Sequence, residues 1–296
     1  MAGPVDRWSQ WHSVRDEGTT FDRSTVSVRL LEARDVILHA VEPLDGVTLV
    51  DVGTGDGLIG LGALDLVGPT GTVIFSDISE VLLERCRESV VAEGAIDRAR
   101  FVITRVEDLA GLDDSCVDVV AGRAALVFVT DKARAFEAMY RVLRPGGRIS
   151  LREVVGRLMF PEPVERFWGY DLSPVVDLCA RVKAAYVELE DPDYRRAMLD
   201  FDDRDLLDLV HAAGFDRVSV ECRTAIAPGG LLPSTSLEGL LGSALTPVSP
   251  TIGEAVECAL DDAERGRFLS ALEDAVRTNS ASSRTAVAHV VAQKRC

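Results

Sequence analysis

The chain is short of positive charge. It carries 32 Lys and Arg against 48 Asp and Glu, a formal net charge of −16 and a pI near 4.7. A nucleic-acid surface needs clustered Lys and Arg, so this balance argues against a nucleic-acid partner. No apolar run approaches the length of a membrane span, and the opening MAGPVDRWSQWHSVRDEG has no apolar signal core. A cytoplasmic protein without a membrane partner is the expectation. The six cysteines include no C-x-x-C, and the nearest two, Cys86 and Cys116, are thirty positions apart, so reduced thiols are expected. Four histidines form no H-E-x-x-H, and no metal site is expected. What is present is apolar: 47% of 296 residues is enough for a full core, in one large domain or a domain with insertions.

The most informative stretch is Thr48–Leu58, TLVDVGTGDGL. It reads as a short buried strand entering a turn with Gly53, Gly55 and Gly57, and a helix beginning near Leu58. Glycines let the chain turn sharply or approach a ligand, and the amides of a helix start favour an electronegative group. Twenty residues beyond Gly57, a second apolar strand ends in Asp77. That is the place of the acid that accepts ribose hydroxyls in a βαβ nucleotide site. The third glycine comes one position too early for G-x-G-x-x-G, which disfavours NAD.

Apolar periodicity predicts a helix over 26–41, then alternating strands and helices. The helices are 58–67, one after Ser79 with Val81, Leu82, Cys86 and Val90 inward, and 131–143. The strands are 72–76, 101–104, 117–121 and 148–155. A helix beginning at Ser173-Pro174, a helix 203–213, a strand 217–226, a helix 254–276 and a strand 285–292 follow. This alternation predicts an α/β fold with a doubly wound, mostly parallel sheet whose ligand lies beyond the carboxyl ends of the strands. Asp51, Asp77, Arg123 and Glu153 should approach that edge.

Asp51-x-Gly53-x-Gly55-x-Gly57, Asp77 and the later Arg141-Val-Leu-Arg-Pro-Gly-Gly147 resemble the class I S-adenosylmethionine-dependent methyltransferases, nearest those of ubiquinone/menaquinone biosynthesis. The resemblance is good over about residues 45–155. It implies a Rossmann-like methyltransferase fold with a seven-stranded sheet closed by an antiparallel edge strand. It also implies an N-terminal helical cap over 1–45 and an S-adenosylmethionine-binding domain over 46–296, with helical lid insertions at about 156–201 and 227–283. The implied cofactor contacts are Asp51, Gly53, Thr54, Gly55, Gly57, Asp77, Ile78 and Arg123. Where the family often has Gly-Asp-Ala, with the Asp accepting from the adenine amine, this chain has Arg105 in the acid's position. The Val106 amide and Glu107 are the remaining candidates there. Val127-Phe128 stand where relatives commonly have two histidines.

Methyl transfer from a sulfonium is an in-line displacement, so alignment and exclusion of water are the protein's main tasks. An acceptor proton would still call for an acid or base. Candidates are Glu153 at a strand end, Tyr170 and Asp171 in the aromatic insertion, and His12 in the leader. The plainer readings are ion pairs, caps and core packing, with Glu153 paired to Arg123 or Arg152. The function expected is O-, N- or C-methylation of a small molecule, and a homodimer is left open. Asp171, Glu188, Glu190 and Asp191 raise the option of a cationic amine or guanidine acceptor. The alternatives are a non-methylating S-adenosylmethionine binder and an NAD-dependent oxidoreductase.

Overall fold

The computed structural model describes residues 6–11, 23–232 and 236–296, with backbone alone for 23–27. Along the chain lie α1 (Arg23–His39), β1 (Thr48–Val52), α2 (Leu58–Leu66), β2 (Thr72–Asp77), α3 (Glu80–Ala92), β3 (Ala99–Ile103), β4 (Val117–Arg123), α4 (Lys132–Val142) and β5 (Leu143–Val154). They continue as α5 (Val176–Leu189), α6 (Pro192–Leu199), α7 (Asp203–Ala212), β6 (Asp216–Pro228), α8 (Leu237–Leu241), α9 (Ile252–Ala259), α10 (Asp262–Arg277) and β7 (Ser282–Gln293).

Seven strands form one sheet in the order β3-β2-β1-β4-β5-β7-β6. The first five are parallel neighbours, and β7 runs antiparallel to β5. The central strand explains the sequence pattern: Leu49, Val50 and Val52 of β1 are fully buried, as an all-parallel strand covered on both faces requires. From β1 the chain crosses to β2, and from β4 to β5, on opposite sides of the β1–β4 pair. That divergence is the topological switch point where ligands of such sheets bind.

The chain divides into two compact units, one of 27–157, 196–223 and 287–296, the other of 1–26, 158–195 and 224–286. The first has a core between the sheet and α1–α3, built on Ile37, Leu49, Ala63, Phe75, Cys86 and Val119. The second has its own core of Phe167, Leu178, Val182, Tyr186, Ile252 and Phe268, with α9 packed on α5, and α10 against α5 and α8. Two segments far apart in sequence, 158–195 and 224–286, thus build one body.

Several details differ from the periodicity reading. The helix expected over 254–276 is two, separated at Leu260, because Thr251 with Glu254 and Asp261 with Glu264 each form a complete capping box. In α3 Ser79 caps as expected, accepting from the Leu82 amide, but Leu83 is buried while Val81 stays 45% exposed. Ser173 does not cap α5; its amide and hydroxyl donate to Asp171. Strand β5 begins at Leu143, directly after α4. Its pairing with β4 shifts between Val117 and Val119, and Pro145-Gly146 loop out there.

Candidate functional site

The turn after β1 is held by one buried carboxylate. Asp51 is 1% exposed, and its Oδ2 accepts from Thr54 Oγ1 at 2.6 Å and from the Gly60 amide at 2.8 Å. This ties the start of the turn to the first turn of α2. Burial, with smaller contributions from the Asp77 and Asp56 charges, pushes Asp51 up to about 7, while the Thr54 and Gly60 bonds pull it down. The Thr54 amide donates to Ser76 O and the Ser76 hydroxyl to Asp51 O, so β1 and β2 hold the turn between them. Gly53 sits at φ +64° and Gly57, the N-cap of α2, at φ +90°, backbone that a side chain strains. A Cβ on Gly53 would stand 2.8 Å from Ala125 Cβ.

Asp77 ends β2 at 8% exposure. Its Oδ2 accepts from the Gly55 amide and its Oδ1 from the Ser79 amide, each at 2.9 Å. Beside it, Ile78 is 42% and Ile103 58% exposed, and Ile103 is the register partner of Asp77 across β2 and β3. Apolar surface next to a carboxylate at the carboxyl edge suits a planar base joined to a sugar diol.

The opposite wall is the loop 124–129 after β4. Glu153, at the end of β5, is fully buried; Oε1 accepts from the Ala125 amide at 3.2 Å and Oε2 from Val127 at 3.3 Å. Burial raises Glu153 to about 7 against the pull of the Leu126, Ala125 and Val127 amides and the Arg123 charge. At the far end Lys132, 5% exposed, donates to Val129 O at 2.9 Å, Ala197 O at 2.7 Å and Asp200 Oδ1 at 2.8 Å. Burial lowers its pKa and Asp200 draws it back.

The ubiE/COQ5 methyltransferase family model matches residues 24–227, which includes the turn, Asp77 and the loop. The chain belongs to the ubiE/COQ5 methyltransferase family. It is 28% identical over 191 residues to the ubiquinone/menaquinone biosynthesis C-methyltransferase UbiE of Idiomarina loihiensis, covering 60% of this chain and 70% of that one. It is 35% identical over 120 residues to the arsenite methyltransferase of Halobacterium salinarum, covering 40% of this chain but only 30% of the relative's length. Haemonchus contortus phosphoethanolamine N-methyltransferase 2, solved with S-adenosyl-L-methionine, shares the fold with a TM-score of 0.53 at 16% identity, over 90% of this chain and 53% of that one.

The stretch 105–109 is a tight turn in which Asp108 and Leu109 amides donate to Arg105 O and Leu109 takes φ +45°. Those bonds leave the Val106 and Glu107 amides unused by the turn. The Arg105 side chain, 60% exposed, pairs with Glu107 at 3.3 Å and so occupies the neighbouring carboxylate.

The structure brings together Asp51, Gly53, Thr54, Gly55, Gly57 and Asp77, with Ile78 beside them and Glu107 and Val106 after the next strand. Arg123 ends β4 on the other side of the switch point. Tyr170 and Asp171 belong to the other unit. Tyr170 is buried in its core, which raises its pKa, and Asp171 is spent on Ser173. His12 lies outside the described residues. Sequence reasoning missed Lys132 and the amide-holding role of Glu153, whose partners are 26 to 28 residues away; Asp131-Lys132 reads only as a helix start. Among the described residues no group of three His, Cys, Asp or Glu could hold a metal, and no helix is long and apolar enough to cross a membrane.

Proposed function

We propose that the chain is an S-adenosylmethionine-dependent methyltransferase acting on a small-molecule acceptor at O, N or C. The observation that carries this reading is the single carboxylate of Asp77 at the end of β2, which grips the Gly55 amide of an Asp51-anchored glycine turn and so stands where an acid of this sheet type meets a ribose. Bound S-adenosylmethionine supplies an electrophilic methyl group for in-line displacement by the acceptor. The residues' part is binding and alignment: Asp77 takes the ribose, Ile78 and Ile103 cover the base, the Val106 amide reaches its edge, and Gly53 and Gly57 keep the turn free of side chains. Arg123 stands at the mouth. The relatives' acceptors differ among themselves, and the acceptor here is assigned as a small molecule in the cytoplasm on the acidic charge of −16 and the six free thiols.

The cationic-acceptor version is the weaker one. Of its four carboxylates, Asp171 is held by Ser173, Glu190 pairs with Arg195 at 2.6 Å, and Asp191 accepts from the Asp193 and Tyr194 amides. One observation favours a second reading, a cofactor binder that does not transfer methyl: Glu153, the acid at the edge, is fully buried and spent on amides. Incubation with methyl-labelled S-adenosylmethionine and a metabolite panel decides between them. Label in a small product with S-adenosylhomocysteine released is the expected result. Tight S-adenosylmethionine binding without turnover on any acceptor would favour the second reading, and binding of NADH in its place would refute both.

A further inference from the structure

The crevice at the switch point has two walls, the glycine turn after β1 and the loop 124–129 after β4, and the second is under strain. Ala124 takes φ +53°, a left-handed backbone that a Cβ disfavours, and persists because its surroundings over-determine it. The Ala124 amide donates to Arg152 O at 2.9 Å, and the next residue of β5, Glu153, receives the amides of Ala125 and Val127. Glu153 has no solvent exposure, so water cannot replace its oxygens as acceptors. Beyond it, Ala125 stands where it nearly fills the space of the Cβ that Gly53 lacks.

We propose that Glu153 is a positioning residue of the methyl-transfer site: its carboxylate clamps the strained 124–127 backbone so that Ala125 buttresses Gly53 and fixes the turn that receives the cofactor. The inference rests on the cofactor reading above only for what the crevice holds; the clamp itself is a property of the ligand-free chain. It turns the acid that was first a candidate base into a support acting through Ala125. Lys132 holds the other end of the same loop through Val129 O.

The test uses the full chain as wild type, Glu153→Gln, Ala125→Gly and the double variant. Glu153→Gln keeps the shape but puts an N–H₂ where one amide now donates. Hydrogen exchange of the ligand-free protein should show the 125–127 amides exchanging roughly tenfold faster in Glu153→Gln, with β1 amides changed less than about twofold. Calorimetric titration with S-adenosylmethionine should show about tenfold weaker binding in Glu153→Gln and in Ala125→Gly, and little further loss in the double variant, because both act through one contact. A merely structural Glu153 would lower the melting temperature and leave affinity in the folded protein unchanged. Unchanged exchange at 125–127, or additive losses in the double variant, would overturn the proposal. If Glu153→Gln does not fold, Ala125→Gly carries the test, and undiminished affinity in that variant overturns it. A wild type that ignores S-adenosylmethionine yet shows the exchange change in Glu153→Gln would instead sink the cofactor reading and leave the clamp standing.

Discussion

Gly53→Ala should destabilise the chain by roughly 1–5 kcal/mol, and most of that should vanish when Ala125 is also made glycine. Two effects add. The first is conformational: φ is +64° at Gly53, and a Cβ there costs roughly 1–2 kcal/mol, offset by about 0.4–1 kcal/mol from the lower entropy of the unfolded chain. The second is steric: the new Cβ would stand 2.8 Å from Ala125 Cβ, inside any observed carbon contact, and overpacking of this kind costs about 1–3 kcal/mol. Ala125 has little freedom to retreat, because the Glu153 carboxylate holds the Ala125 and Val127 amides. With Ala125→Gly the nearest atom is the Cα of residue 125 at 3.6 Å, an ordinary contact, and only the conformational effect remains. Urea unfolding of the four proteins of the cycle gives the coupling, expected at about 1–3 kcal/mol, with equal m-values as the check on two-state behaviour. If Gly53→Ala costs the same in both backgrounds, the close approach of the two walls is not real and the reasoning about the crevice fails.

Three further outcomes follow from buried groups. Asp51 is raised to about 7, so its buried charge is a penalty absent below about pH 4 and complete above about pH 7. Relative to Asp51→Asn, which does not titrate there, the wild type should lose stability as pH rises through that window, by up to about 4 kcal/mol at roughly 1.4 per unit; parallel stability–pH curves would contradict it. Lys132→Met strands two carbonyls and the Asp200 carboxylate, which is 36% exposed and so partly hydrated. A loss of about 2–4 kcal/mol in urea melts is expected, and one under about 0.5 would show the lysine to be incidental. Cys86 is fully buried, donates to Gly55 O at 3.3 Å and has its thiol pushed up to about 12 by burial and the Asp51, Asp56 and Asp77 charges. In the folded protein at pH 8 iodoacetamide should label exposed Cys258 and Cys296 while sparing Cys86, and rapid labelling of Cys86 would mean that the turn opens readily.

What was legible in the sequence depended on distance along the chain. Asp51, the glycines and Asp77 lie within 27 positions, and their spacing placed strand, turn and acid correctly, because a strand, a glycine turn and the acid ending the next strand recur at a set spacing in a βαβ unit. The break at Leu260 was written in the sequence as two capping boxes, but the apolar period runs across both helices and hid it. Leu83 and Val81 exchanged faces because adjacent apolar residues leave the phase of a helix unfixed. Glu153 and Lys132 were opaque for a different reason. Their roles depend on partners 26 to 28 and 65 to 68 residues away, and a carboxylate at a strand end looks the same whether it faces a substrate or three amides. Nor does local pattern reveal that 158–195 and 224–286 fold into one body, since each segment's apolar face is completed by the other.

The central claim is that the Asp77 carboxylate holds the sugar of the methyl donor at the glycine turn, and calorimetric titration of S-adenosylmethionine into wild type and Asp77→Asn tests it most directly. The wild type should bind, and the variant, shown folded by its melting curve, should bind about ten- to a hundredfold more weakly, as expected for one charge-assisted hydrogen bond of roughly 1.5–3 kcal/mol. Equal affinity in a folded Asp77→Asn protein would contradict the account.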